Sequence, residues 1–151
     1  MNLNVKLFAD GADKDGMLEM YANPLISGFT TNPTLMKVAG VDNYKSFAQD
    51  ILVHINDKPI SFEVFSDDFI EMEKQGLEIA SWGNNVNVKI PITNTKGIST
   101  KEVINNLNKD RIKVNVTAIF TVEQVLEIMN CFDNSTNAII SVFAGRIADS
   151  G

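Results

Sequence analysis

The sequence predicts an α/β fold, a TIM (β/α)8 barrel with about six of its eight βα units present in this chain. Three observations predict it. Six short apolar or alternating runs recur with helix-like stretches between them. The polar residues near the ends of those runs, Asp10, Asn32, Glu63, Lys89, Thr117 and Ser141, stand 22, 31, 26, 28 and 24 residues apart, about one strand–helix unit each. The segment after the first run, Asp10-Gly11-Ala12-Asp13, is too poor in glycine for the nucleotide loop that an open doubly wound sheet usually carries there. At 151 residues the chain is one domain by length, yet eight such units need upward of about 200 residues. Residues 1–151 are therefore expected to form a single (β/α)-barrel domain that is incomplete at its C-terminal end or completed by another chain.

The expected strands are Val5–Phe8, Leu25–Phe29, Ile60–Phe65, Val86–Ile90, Ile112–Val116 and Ala138–Phe143. Asn32 followed by Pro33 reads as a helix N-cap with proline in the first turn. From Asp42 to about Asn56, apolar Phe47, Ile51 and Ile55 recur at helical spacing, and from Asp67 to Trp82 so do Ile70, Leu77 and Ile79-Ala80. Ser99 with Glu102, and Thr121 with Gln124, have the spacing of capping boxes ahead of two further helices. His54 falls on the apolar stripe of its helix and is expected to be packed.

Composition narrows the function. A formal charge of −6 and an isoelectric point near 4.7 argue against a general nucleic-acid or anionic-membrane surface, since both partners need a positive field. A lone cysteine, Cys131, permits no disulfide framework and no thiolate metal cluster. Met1-Asn2-Leu3-Asn4-Val5-Lys6 lacks the order of a signal peptide, and no apolar run nears the roughly 20 residues of a membrane helix, so the expected compartment is cytoplasmic. With one His and one Cys, histidine–cysteine metal sites and serine–histidine triads lack parts.

The polar strand residues carry the chemistry. Alternation along Asn85-Val86-Asn87-Val88-Lys89-Ile90 puts Asn87 and Lys89 on the face opposite the aliphatics, and the same count turns Asn115 and Thr117 inward. Desolvation disfavours an ammonium, and attack on a carbonyl requires the neutral amine, so an inward lysine is a candidate nucleophile. The plain alternative is a lysine whose charge escapes to water. Glu63 among Phe62, Val64 and Phe65 is either a working carboxylate or a paired structural one. Asp10, before Gly11, is equally suited to a turn or cap. Arg146 suits a phosphate clamp, or a surface pair with Asp149.

Taken together, Gly28-Phe29-Thr30-Thr31-Asn32-Pro33-Thr34, Asn87-Val88-Lys89-Ile90-Pro91, Asn115-Val116-Thr117-Ala118-Ile119-Phe120 and Ile140-Ser141-Val142-Phe143-Ala144-Gly145-Arg146-Ile147 resemble the transaldolase family, including its small members and the fructose-6-phosphate aldolases. The resemblance implies that Lys89 forms a Schiff base with the C2 carbonyl of a ketose phosphate and that Asp10 takes the C4 hydroxyl proton as C3–C4 breaks. It implies a water held by Glu63 and Thr117, contacts from Asn32, Asn115 and Ser141 to the three-carbon unit, and a phosphate contact from Arg146. The iminium would serve as electron sink, so no cofactor and no metal are expected; sugar phosphates are the expected substrates and a homo-oligomer the expected state.

Glu63 and Phe143 stand where the aldolase branch of that family tends to have glutamine and tyrosine, so the chain resembles the transferase branch. The expected activity is transaldolase, with fructose-6-phosphate aldolase as one rival and a non-catalytic barrel fragment that binds sugar phosphate or a partner as another. The family's seventh and eighth strands have no counterpart here. Six open strands would expose aliphatic surface, so the chain is expected to self-associate.

Overall fold

Side chains at the ends of each segment decide where helices begin. The computed structural model of the chain describes residues 4–133 and 136–151; residues 1–3, part of the N-terminal stretch read above, lie outside it. The chain divides into two compact units, Met1–Glu63 with Ser81–Val86, and Val64–Ala80 with Asn87–Gly151.

The first unit runs β1 (Leu7–Asp10), α1 (Lys14–Ala22), β2 (Ile26–Thr30), α2 (Pro33–Val38), α3 (Tyr44–His54) and β3 (Ile60–Glu63). Each helix starts where a short polar side chain accepts from an otherwise unpaired backbone N–H. Asp13 accepts from Gly16 at 2.7 Å, Asn32 from Leu35 at 2.9 Å, and Asn43 from Ser46 at 2.9 Å. As expected, Pro33 opens α2 directly after its Asn32 cap. Strands β1 and β2 pair in parallel from Leu7↔Ile26 to Asp10↔Thr30, and β2 pairs with β3 at Phe29↔Ile60 and Thr30↔Ser61. Gly28 permits this packing, because a Cβ there would overlap the Phe8 ring and Pro59. Met17, Phe29, Met36, Ile51, Ile55, Ile60 and Phe62 form the core, each side chain contributing about 1.5–3 kcal/mol by its removal from water.

Two expectations are corrected in this unit. The first strand is Leu7–Asp10 rather than Val5–Phe8, because pairing with Ile26–Thr30 sets its register and leaves Val5 66% exposed. His54 is exposed instead of packed, with Nε2 3.9 Å from Asp50 one turn back; Ala48 and Ile51 are the residues α3 buries. The step of 31 residues between Asn32 and Glu63 is the longest of the five because two helices, α2 and α3, fill it.

The second unit holds α4 (Phe69–Ala80), β4 (Val86–Pro91, from Asn87 onward), α5 (Lys101–Lys109), β5 (Val114–Ile119), α6 (Val122–Met129), β6 (Ile139–Val142) and α7 (Ala144–Ser150). Parallel pairing runs from Val88↔Val114 to Pro91↔Thr117 between β4 and β5, and from Asn115↔Ile139 to Ile119↔Val142 between β5 and β6. Val88, Ile90, Val103, Ile104, Leu107, Val114, Val116, Ile119 and Ile128 are its core. Apart from the consecutive α2 and α3, the described helices and strands alternate, and within each unit the strands are parallel and neighbours in chain order. The fold class is thus α/β with six sequential βα units, as predicted.

Here too the structure corrects details. Ile70 and Leu77 are 68% and 42% exposed, and α4 instead buries Met72, Gly76 and Ile79. A Cβ on Gly76 would stand 3.0 Å from a methyl of Leu107, so glycine sets the approach of α4 to α5. The expected third strand stops two residues early, since the N–H groups of Phe65 and Ser66 both donate to Gln75 Oε1. The Ser99–Glu102 capping box does not form: Thr100 is the N-cap, its hydroxyl donates to the Pro91 carbonyl at 2.6 Å, and Ser99 lies in a bridge with Thr93. The Thr121–Gln124 box forms fully. The fifth strand is Val114–Ile119 instead of Ile112–Val116, its start fixed by the Val88↔Val114 pair.

Candidate active site

A sheet face lined by apolar residues ordinarily meets an apolar partner, so buried polar side chains on strands mark places where something other than packing is selected. In the second unit Asn87, Lys89, Asn115 and Thr117 are all buried, at 5%, 7%, 1% and 1% exposure. The sequence placed these four inward, and the register supports one shared face, since Lys89 pairs with Asn115 and Pro91 with Thr117. Ser141, on β6, joins them: its hydroxyl donates to Asn115 Oδ1 at 2.7 Å. The Lys89 carbonyl accepts from Val64 N–H at 3.1 Å, which ties down the backbone beneath the amine.

The Thr117 hydroxyl is buried and, among the described residues, has no hydrogen-bond partner. An orphaned hydroxyl of this kind costs about 1–3 kcal/mol, so it marks a position held for something besides stability. Phe143, just past β6, meets Phe120 edge to face with ring centroids 5.7 Å apart. Arg146 lies exposed on α7.

In the first unit Asp10 closes β1 and its carboxylate accepts from the Thr30 hydroxyl at 2.6 Å. The helix cap that follows is Asp13, so Asp10 is left out of capping. Asp10 borders a cleft of about 510 Å³ whose other walls include Met17, Met20, Leu35 and Val38; no other predicted site residue lines it. Asn32 is partly buried with its side chain spent on the α2 cap. Glu63 is half-buried at the end of β3, and its backbone carbonyl accepts from the Tyr44 hydroxyl at 3.0 Å.

Sequence reasoning passed over Tyr44. Its ring packs edge to face on Phe62 and Trp82, at 5.9 and 5.3 Å between centroids. Burial pushes the phenol well above its usual range, with hydrogen bonds to Thr31 and the Glu63 backbone only partly offsetting it. Tyr44 therefore stays a neutral donor that fixes the end of β3. Nothing in its neighbourhood along the chain distinguishes it from an ordinary aromatic at a helix start. The irregularity of β5 between Val116 and Ile119, with Ala118 at φ +58°, was also passed over, because it is invisible in residue type.

Among the described residues no cluster of three His, Cys, Asp or Glu side chains is arranged to hold a metal, and no helix is long and apolar enough to cross a membrane.

Parallel sequential βα units with a buried lysine and amides on one strand face define an α/β protein of the (β/α)-barrel class. The model of the transaldolase/fructose-6-phosphate aldolase family matches residues 7–151, and the chain belongs to that family. It is 36% identical over 147 residues to a probable transaldolase of Dehalococcoides mccartyi, an alignment covering 97% of this chain and 64% of the relative. A probable transaldolase of Streptococcus agalactiae is 38% identical with the same coverage, and one of Thermoanaerobacter is 37% identical over 96% of this chain and 62% of the relative. The chain thus spans somewhat less than two thirds of these relatives.

Proposed function

We propose that the chain is part of a transaldolase that moves a dihydroxyacetone unit between sugar phosphates through a Schiff base on Lys89, with residues 1–151 belonging to one catalytic barrel domain. The observation that carries this reading is Lys89 itself, a lysine 7% exposed on a strand where its register partner is the buried Asn115. A lysine buried beside hydrogen-bonding amides is suited to capturing a ketone.

In the proposed sequence, the Lys89 amine adds to C2 of fructose 6-phosphate or sedoheptulose 7-phosphate and loses water to give an iminium. Asp10 takes the C4 hydroxyl proton while C3–C4 breaks, the electron pair moves into the iminium, and the aldose phosphate leaves. The remaining enamine attacks erythrose 4-phosphate or glyceraldehyde 3-phosphate. Glu63 and Thr117 hold the water that carries protons, a role that would occupy the orphaned Thr117 hydroxyl. Asn32, Asn115 and Ser141 bind the three-carbon unit, and Arg146 reaches the phosphate. Names given to the relatives support transaldolase over the aldolase rival, as do Glu63 and Phe143 in this chain. The natural setting proposed is the cytoplasmic, non-oxidative pentose phosphate route, in a homo-oligomer.

Acceptor dependence tests the reading. With fructose 6-phosphate, steady release of glyceraldehyde 3-phosphate is expected only when erythrose 4-phosphate is present. Steady release of dihydroxyacetone without any acceptor would replace transfer by aldol cleavage, and no adduct and no turnover would leave a binding module.

A further inference from the structure

Strand β5 changes its count partway along. Its pairing with β6 runs Asn115↔Ile139, Val116↔Ile140 and then Ile119↔Val142, so Thr117 and Ala118 together stand opposite the single residue Ser141. On its other side β5 keeps unbroken register with β4 through Pro91↔Thr117. Ala118 takes φ +58°, the left-handed conformation by which a strand accommodates one extra residue.

The extra residue exchanges the faces of everything after it, because side chains alternate with a period of two. Val114 and Val116 share the aliphatic face, and beyond the bulge that face is continued by Ile119, fully buried, where plain alternation would have put Ala118. Phe120, the first residue past β5 and 45% exposed, then follows on the side of Asn115, Thr117 and Ser141. There it meets Phe143 at 5.7 Å between ring centroids. Its own backbone is pinned as well, since the N–H groups of Phe120 and Thr121 both donate to Gln124 Oε1, at 2.8 and 3.2 Å.

We propose that Phe120 is a specificity-determining residue: seated by the Thr117–Ala118 bulge and paired with Phe143, it denies the lysine-bound three-carbon enamine the proton that must precede its hydrolysis. This rests on the reading of Lys89 as the Schiff-base residue. Hydrolytic loss of that intermediate requires a proton on the enamine carbon, addition of water to the iminium carbon, and cleavage of the C–N bond to give dihydroxyacetone and the free amine. Two phenyl rings beside it supply no hydroxyl to deliver that proton, so the enamine is not converted to the iminium that the water at Thr117 could attack. The intermediate then persists until an aldehyde arrives.

The test uses the full chain and two variants, Phe120→Ala and the size-conserving Phe120→Tyr, with Phe120→Leu as an apolar control and folding checked by circular dichroism. Each is treated with fructose 6-phosphate, freed of sugar by rapid gel filtration, and sampled into borohydride over time. The quantity read is the lifetime of the three-carbon mass on Lys89. The parent adduct is expected to persist, and both variants are expected to lose it roughly fivefold faster or more, with Phe120→Leu restoring the parent lifetime. Phe120→Tyr preserves the ring contact, so a change in that variant is not a folding effect. Adduct formation with unchanged lifetimes in both variants overturns the role of Phe120 and leaves the Schiff base standing. No adduct even in the parent overturns the Schiff-base reading itself, and the inference with it.

Discussion

Thr117 sets stability against use. Its hydroxyl is buried without a partner among the described residues, and replacing such a group by an isosteric methyl is neutral or stabilising by up to about 1–2 kcal/mol. Thr117→Val is therefore expected to melt at or above the parent temperature while turnover falls at least about tenfold through loss of the proton-carrying water. Calorimetry and a coupled assay on the same sample check both halves; a variant that is less stable and equally active would contradict the role. Ser141 behaves oppositely. Its hydroxyl supports the buried Asn115 at 2.7 Å, so Ser141→Ala should cost about 1 kcal/mol in urea unfolding through loss of that buried hydrogen bond. Lys89, Asn115 and Thr117 were legible because alternation around valines and isoleucines leaves them no other face. Tyr44 was not, since its role is made by Glu63 and Thr31 arriving from distant sequence.

At the scale of elements, strand existence could be read from the apolar runs, while limits were set by partners along the neighbouring strand. The first strand slid two residues because Ile26–Thr30 determines which part of the chain pairs, and the fifth because Val88 begins its ladder at Val114. Ile70 and Leu77 read as a buried stripe, yet the tighter fit of Gly76 on Leu107 turned α4 to another face. The bulge at Ala118 offers a sharp test. Left-handed backbone costs a non-glycine residue about 1–2 kcal/mol, and glycine loses about 0.5–1 kcal/mol in chain entropy. Ala118→Gly should thus be neutral to about 1 kcal/mol stabilising, whereas the β-branched Ala118→Val should lose at least about 1–3 kcal/mol. Equal melting temperatures for the two variants would remove the strained bulge. Asn32→Ala should lose about 1 kcal/mol with the α2 cap, whatever its effect on sugar binding.

For the molecule as a whole, charge and exposed surface govern behaviour in solution. Hydrogen bonds from the Thr95 backbone and hydroxyl hold the Asp67 carboxyl below its ordinary 3.8. Because the folded value is the lower one, the stabilisation is present above the unfolded value and disappears as pH falls through the folded value. The melting temperatures of Asp67→Asn and the parent should accordingly differ near neutrality and converge in acid below about pH 4. Leu7 and Phe8 on β1, and Ile140 and Val142 on β6, are 36–48% exposed, and hydrophobic strand surface of this kind favours association. Light scattering should find the isolated chain larger than a monomer, and a strict monomer at high concentration would contradict this.

Chemistry at one nitrogen underlies the proposed function, and peptide mapping after reduction with borohydride addresses it directly. With fructose 6-phosphate, a three-carbon or six-carbon mass is expected on the peptide containing Lys89, with none in Lys89→Met. Labelling spread over exposed lysines, or an undiminished adduct in Lys89→Met, would contradict it.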